Sequence, residues 1–140
     1  MRKRLLAIAS IVGLSLASLG LWSTAAAAAG SDCSIKGTSA SEMLIGTEDA
    51  DVICARAGSD FVDALAGDDI VRGGGGNDTV VGGEGDDSLF GGKGNDRLAS
   101  EDGVSGNDSV SGGPGFDVCF IDEGDTTSGC ERVVVVASGS

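Results

Sequence analysis

The chain has 140 residues, no histidine and a formal charge of −13. The missing histidine excludes His-based triads, histidine general bases and histidine-ligated zinc, and the acidity argues against nucleic acid as a partner. With only four phenylalanines, one tryptophan and no tyrosine, any core must be thin and aliphatic.

The chain opens with Arg2, Lys3 and Arg4, continues with an apolar run over residues 5–21 and reaches an alanine-rich stretch at residues 25–29. That is the layout of a secretory signal peptide, with cleavage expected near Ala29. A retained membrane anchor is the rival, but the run is short for a span and ends in cleavable small residues. There is no twin-arginine pair, and Ser31-Asp32 precede Cys33 where a lipidation site wants small apolar residues. Export in soluble form is expected, with no membrane contact once the leader is removed. Residues 1–29 are therefore read as the leader and 30–140 as a single domain. Cleavage leaves 6 basic against 22 acidic side chains, a charge of −16, and removes Trp22. A segment so acidic and glycine-rich has little apolar area to offset the entropy of ordering it. Something besides hydrophobic burial must hold it.

From Gly37 the chain becomes periodic. Seven copies of nine residues begin at Gly37, Gly46, Ala55, Ala64, Gly73, Gly82 and Gly91. Ser100, Glu101 and Asp102 then interrupt, and two more copies start at Gly103 and Gly112. Copies 73–81, 82–90 and 91–99 read G-G-x-G-x-D-x-U-x, with U aliphatic. The sixth place holds Glu42, Asp51, Asp60, Asp69, Asp78, Asp87, Asp96, Asp108 and Asp117. The eighth holds Leu44, Ile53, Val62, Val71, Val80, Leu89, Leu98, Val110 and Cys119. Each copy thus reads as a polar turn and a short strand of about three residues. Alternation along that strand points the eighth residue one way and the seventh and ninth the other. Two copies make one coil of a solenoid, and residues 18 apart stack at roughly 4.8 Å. The acids then form two ladders: Glu42, Asp60, Asp78, Asp96 and Asp117 on one edge, Asp51, Asp69, Asp87 and Asp108 on the other. The three-residue insertion falls between copies, where a loop can bulge.

Carboxylates about 5 Å apart repel by around 3 kcal/mol at an effective dielectric of 20. Stacked columns of them call for cations. Ca²⁺ takes six to eight oxygens and suits carboxylates combined with turn carbonyls, whereas Mg²⁺ wants tighter octahedral geometry. Glycine lets the turn aim its carbonyls at such an ion. Turn capping by aspartate is the simpler alternative, but capping alone does not call for glycine-rich turns and two like-charged ladders. No stretch supplies an EF-hand loop.

This nonapeptide, sharpest from Gly73 to Ala99, resembles the hemolysin-type calcium-binding repeats, the RTX family, over residues 37–120. The resemblance implies an all-β fold, a parallel β-roll (a right-handed β-solenoid) with Ca²⁺ between glycine-rich turns two copies apart. Aspartate carboxylates and turn carbonyls would bind the ions. The expected metal ligands are Asp51, Asp60, Asp69, Asp78, Asp87, Asp96, Asp108 and Asp117. The pairs that fit the pattern best are Asp60 with Asp78, Asp78 with Asp96, and Asp69 with Asp87. The first two turns should bind weakly or not at all, because Ala40 and Asp49 stand where later copies have glycine and Glu42 replaces the first aspartate.

Four cysteines in an exported chain read as two disulfides. Cys54 and Cys119 lie about three and a half coils apart, roughly 17 Å, beyond the roughly 7 Å limit for a bridge. The expected pairs are Cys33–Cys54 and Cys119–Cys130, one stapling each end. Residues 133–136, four valines, suit a final strand closing the roll, or alternatively a sticky edge for a partner. The glycosylation patterns at Asn77 and Asn107 sit inside turns where a sugar would obstruct a site, and are read as coincidence.

The leading functional expectation is a secreted, extracellular calcium-binding protein that folds on meeting calcium outside the cell. The alternative is a structural or adhesive module of the cell surface or matrix in which calcium only rigidifies a scaffold presenting Phe61, Ile70 and Phe90. No enzyme activity is expected, since the acids are absorbed by ladders or surface. RTX relatives often carry such repeats behind a protease, lipase or toxin and use a C-terminal export signal; this chain departs from that pattern, so toxin activity is not carried over. Ice binding wants ranks of threonine, which the ninth positions do not offer.

Overall fold

Alternation of glycine-rich turns with three-residue aliphatic strands leaves the chain no run long enough for a helix or a hairpin meander. The computed structural model describes residues 32–137; the expected leader lies outside the described residues. Among those residues there is no helix. The strands are β1 (Ile35–Lys36), β2 (Met43–Ile45), β3 (Val52–Ala57), β4 (Phe61–Asp63), β5 (Ile70–Gly75), β6 (Thr79–Val81), β7 (Ser88–Lys93), β8 (Arg97–Ala99), β9 (Ser109–Ser111), β10 (Val118–Asp122), β11 (Thr126–Ser128) and β12 (Arg132–Val136). They form two six-stranded sheets: a first in the order β1-β3-β5-β7-β9-β11 and a second in the order β12-β10-β8-β6-β4-β2. Every pairing is parallel. The chain visits the two sheets in turn, making a β-solenoid of about six coils.

The register is the one the repeat dictates. Ile53 pairs with Val71 and Val71 with Leu89 in the first sheet, while Val62 pairs with Val80 and Val80 with Leu98 in the second. Each step is 18 residues, so every inward residue lies over its counterpart two copies away. Across the insertion the step widens, with Leu89 pairing Val110 and Leu98 pairing Cys119, and the ladder continues unbroken. Strands β3, β5 and β7 run to six residues rather than the expected three, because the start of the following turn stays paired, as in Arg56 with Gly74 and Ala57 with Gly75.

The core is one column per sheet. Ile53, Val62, Val71, Val80, Leu89 and Leu98 are fully buried and in contact as one cluster, with Leu44 and Ile35 partly buried at its lower end. Burying one such side chain contributes about 1.5–3 kcal/mol. A single layer of them is little for a domain of this size.

Both ends are reinforced. Cys33–Cys54 and Cys119–Cys130 are bonded, with Cα separations of 5.9 and 6.1 Å. Cys119 occupies the inward column, and Cys130 packs over that column beyond the last repeat. The valine run forms most of β12, which pairs with β10 over five residues and ends the second sheet. Three of its valines, Val133, Val135 and Val136, remain exposed. On the outer face Arg97 stacks 3.8 Å from the centre of the Phe120 ring, a cation–π contact between neighbouring coils.

Truncating one inward residue tests the column. Leu89→Ala is expected to lower stability by about 2–5 kcal/mol, whereas Phe90→Ala, on the exposed side of the same strand, should change it by under about 0.5 kcal/mol. Denaturant unfolding at fixed calcium measures both.

Candidate metal centre

Each sixth-position acid begins where a strand is about to start, and its side chain turns back into the turn. The ladder acids from Asp51 to Asp117 are buried. Their packing is directional. The amide of Asp60 donates to Asp78 Oδ1 at 2.8 Å and the amide of Asp78 to Asp96 Oδ1 at 2.8 Å. On the other edge the amide of Asp51 donates to Asp69 Oδ1 at 2.7 Å and that of Asp69 to Asp87 Oδ1 at 2.9 Å. Both ladders cross the insertion: Asp87 donates to Asp108 and Asp96 to Asp117, each at 2.7 Å. The carboxylates are therefore not bare stacked charges. One oxygen of each ties down the backbone of the coil beneath.

The second oxygen is treated differently. Oδ2 of Asp60, Asp69, Asp78, Asp87, Asp96, Asp108 and Asp117 is buried and has no hydrogen-bond partner. In four turns it lies against the first residue of its own turn: Asp78 against Gly73, Asp87 against Gly82, Asp96 against Gly91 and Asp117 against Gly112. A methyl group placed on Gly73 would stand 2.6 Å from Asp78 Oδ2 and 2.5 Å from the Gly91 carbonyl oxygen, so carboxylate and carbonyl from adjacent coils converge there. The same crowding surrounds Gly91 with Asp96 and Gly112 with Asp117. Buried acceptors without donors cost about 1–3 kcal/mol each, more when charged. A hard cation is the partner such oxygens suit. Among the described residues no three acidic, cysteine or histidine side chains converge closely enough to hold an ion by themselves. Each ion would thus rely on carboxylate Oδ2 together with turn carbonyls, and the donor set fits calcium on those terms.

Asp51, grouped by its sequence with the other seven, stands apart. Its Oδ1 accepts from the Ser34 hydroxyl at 2.8 Å, and its Oδ2 accepts from the Thr47 amide at 2.8 Å and hydroxyl at 2.9 Å. Glu42 is likewise closed by the amide and hydroxyl of Thr38. The second residue of the turn is threonine in these two copies, and it adds a hydroxyl donor that the second-place residues of later copies, Arg56, Leu65, Val104 and the glycines, do not have.

Several participants carry no period-nine signature. Fifth-position side chains form an outer ladder: Ser59 Oγ accepts from the Asn77 amide at 3.1 Å, Asn77 Oδ1 from Asn95 at 2.8 Å and Asn95 Oδ1 from Phe116 at 2.9 Å. At the far end Glu131 accepts from the Asp117 amide at 2.7 Å and Asp125 from Asp108 at 3.3 Å, extending both ladders past the last repeat. The buried Asp122 holds the insertion by accepting from the amides of Asp102 and Gly103. A scan for the first acid ahead of each remaining strand would have found Asp125 and Glu131.

The turns need glycine at a defined place. Gly76 has φ +129°, and a methyl group there would collide with the Gly58 carbonyl; at Gly75, one residue earlier, it would meet nothing within 4 Å. Arg56 (φ 83°) and Leu65 (φ 79°) adopt left-handed backbone at the second place, at roughly 1–2 kcal/mol each. Gly76→Ala is expected to destabilise the roll by about 2 kcal/mol or more and Gly75→Ala to be neutral or stabilising by under about 1 kcal/mol. Denaturant midpoints of the two variants provide the comparison.

Burial dominates the electrostatics. It pushes Asp108 up to about 7, with the charges of Asp125, Asp87 and Asp102 adding to the rise and the Asp87 amide opposing it. Burial likewise raises Asp69 and Asp96 to about 6, and Asp78 and Asp87 above the usual range, in each case against the amide bond to Oδ1. Burial also acts to raise Asp51, but the bonds from Ser34 and Thr47 outweigh it and leave it below the ordinary 3.8. Raised carboxyls favour the folded state while protonated, so their contribution is full below about pH 4 and is lost as pH rises through 6 to 7. Without metal, the fold is expected to melt at a higher temperature near pH 4 than at pH 8, as followed by circular dichroism in chelator.

A family model of the RTX calcium-binding nonapeptide repeat, four copies, matches residues 36–71, 72–104 and 102–118. No curated protein and no solved structure shows significant similarity to the chain. The family match spans more than half of the sequence and coincides with the coils whose turns carry the unpartnered aspartate oxygens. The chain belongs to the RTX calcium-binding repeat family.

Proposed function

We propose that the chain is an exported calcium-binding protein whose roll becomes fully stable when Ca²⁺ meets the turns outside the cell. One observation carries this reading: seven buried aspartate oxygens, one per turn from Asp60 to Asp117, have no donor in the protein. Bound calcium would supply the positive charge those oxygens lack. The chain's own residues do the rest: Oδ1 holds each carboxylate in place, first-place glycine keeps the space beside Oδ2 of Asp78, Asp87, Asp96 and Asp117 clear, and at Asp78, Asp96 and Asp117 a carbonyl of the next coil faces the same space. Asp60, Asp69, Asp78, Asp87, Asp96, Asp108 and Asp117 are the ligands this geometry supports, and Asp51 serves as a closed turn.

A ligand that binds only the folded chain stabilises it in proportion to the logarithm of its concentration over the dissociation constant, summed over sites. Extracellular calcium modules work at dissociation constants of about 10⁻⁴ to 10⁻³ M. The low calcium of the cytoplasm would leave such a chain loosely folded for export, and the leader-like residues 1–29 fit that route. The thin core agrees with it, as does the absence of a substrate pocket requirement in a ligand-filled solenoid. The adhesive alternative draws on exposed Phe61 and Phe90, but these stand on opposite sheets, and Ile70 is half-buried. Ile70 and Phe90 lie on neighbouring strands of one sheet and Phe61 on the other, so the three do not form one patch.

Calorimetric titration with calcium, alongside circular dichroism with and without chelator, tests the proposal. Asp78→Asn and Asp87→Asn preserve the Oδ1 acceptor but remove charge, and each is expected to weaken calcium binding at its turn by about tenfold or more. Asp51→Asn should leave the isotherm unchanged. An unaltered β spectrum on chelation together with no binding heat defeats the reading.

A further inference from the structure

The two edges of the roll are chemically unlike. Turns leading from the second sheet back to the first cover residues 46–51, 64–69, 82–87, 100–108 and 123–125. Among their first four, Glu48, Asp49, Asp68, Glu84, Asp86, Glu101 and Asp102 accompany the ladder acids, and no turn on this edge contains lysine or arginine. Turns leading from the first sheet to the second cover residues 37–42, 55–60, 73–78, 91–96 and 112–117. They hold no acid besides the ladder, and they contain Arg56 and Lys93.

The contrast extends to the outer ladder. On the second kind of edge the fifth-position acceptors are neutral, Ser41, Ser59, Asn77 and Asn95. On the first kind the same bond, from the Asp86 amide at 3.1 Å, is accepted by the carboxylate of Asp68. Backbone geometry is shared and charge is not. Both edges nonetheless aim unpartnered, buried Oδ2 atoms into their turns: Asp69, Asp87 and Asp108 on the acidic edge, Asp60, Asp78, Asp96 and Asp117 on the neutral one.

We infer that the two rows of turns load in a fixed order, the acidic edge taking calcium at lower concentration than the neutral edge. This rests on the calcium reading above and deepens it. A unit charge about 7 Å from a divalent ion changes its affinity several-fold even at the dielectric of water. Surplus carboxylates attract on one edge, while Arg56 and Lys93 repel on the other. Because these charges are exposed, salt weakens the difference; the screening length is about 10 Å at 0.1 M and shorter above it. The roll therefore responds to calcium in two stages. Coils are first joined along one edge and then locked along the other, with ionic strength setting the gap between stages.

Amide-resolved NMR titration of the ¹⁵N-labelled chain with CaCl₂ separates the rows, using the amides of Asp69 and Asp87 against those of Asp78 and Asp96. At about 0.05 M salt the acidic-edge amides are expected to reach half-change at about tenfold lower calcium, narrowing to within about threefold at 0.5 M. Lys93→Glu should lower the midpoint of the neutral edge alone, and Glu84→Gln with Asp86→Asn should raise that of the acidic edge alone. Coincident midpoints at low salt, a reversed order, or equal effects of the variants on both edges overturn the inference while leaving calcium binding intact. A titration that moves no amide on either edge removes the calcium reading itself and this inference with it.

Discussion

One hydrogen bond organises the molecule: the amide of each ladder residue up to Asp96 donates to the Oδ1 of the ladder aspartate 18 or 21 places later. It fixes the spacing of the coils and the rotamer of the acid at once. It also decides what is left over. With Oδ1 occupied, Oδ2 is held in the turn and out of reach of any protein donor. An amide bond to a charged acceptor contributes about 1.5–3 kcal/mol, and an unsatisfied buried acceptor costs about 1–3 kcal/mol or more. The two effects of one carboxylate come close to cancelling, so the chain by itself gains little from stacking. The gain comes from whatever neutralises the second oxygen.

The rest of the architecture follows from that arrangement. Oδ2 stands against the first-place glycines Gly73, Gly82, Gly91 and Gly112, and the fourth place is glycine at Gly76 because the coil below presents a carbonyl there. The core can remain two facing aliphatic columns, one per sheet, because it has only to set the distance between sheets. Its ends need other devices, since a terminal coil has no neighbour on one side. At the start Ser34, Thr38 and Thr47 supply hydroxyls to acids that lack a partner coil. At the finish Asp125 and Glu131 supply carboxylates to amides that would otherwise be bare, and Cys130 covers the column through its bond to Cys119.

Period, inward column, ladder membership, disulfide pairing and the closing strand were all legible in the sequence, because each depends on residues at a constant interval or on a simple distance limit. What the sequence concealed lies at broken intervals. Asp125 and Glu131 follow their ladder partners by 17 and 14 residues rather than 18, and so drop out of any periodic alignment. Asp51 illustrates the opposite case: its position fits the pattern, but its Oδ2 is bonded by Thr47 where the later ladder oxygens have no donor. Thr47 registers in the sequence only as a missing glycine, although its amide and hydroxyl both bind Asp51 Oδ2. The first two turns do differ in structure: beside the fourth-place residues and the glutamate that the sequence pointed to, second-place threonines close Glu42 and Asp51. Like-charge repulsion between bare carboxylates was also overdrawn, since the sequence gives no hint that an amide stands between each pair.

Proton and divalent cation compete for the same oxygen, and this gives the fold its sensitivity to medium. Burial raises Asp69, Asp96 and Asp108 because an ionised Oδ2 without a partner is costly. A proton removes that cost by removing the charge, and a cation removes it by pairing with the charge. The two remedies differ in what they connect. A proton serves one carboxyl and ends there, whereas a cation also engages the carbonyl oxygens that converge beside it from the next coil, as the Gly91 carbonyl does beside Asp78. Protonation can therefore relieve strain within a turn, but metal joins turn to turn. Stiffness gained from metal would add to what the parallel strand ladders and the amide–carboxylate bonds already supply from coil to coil.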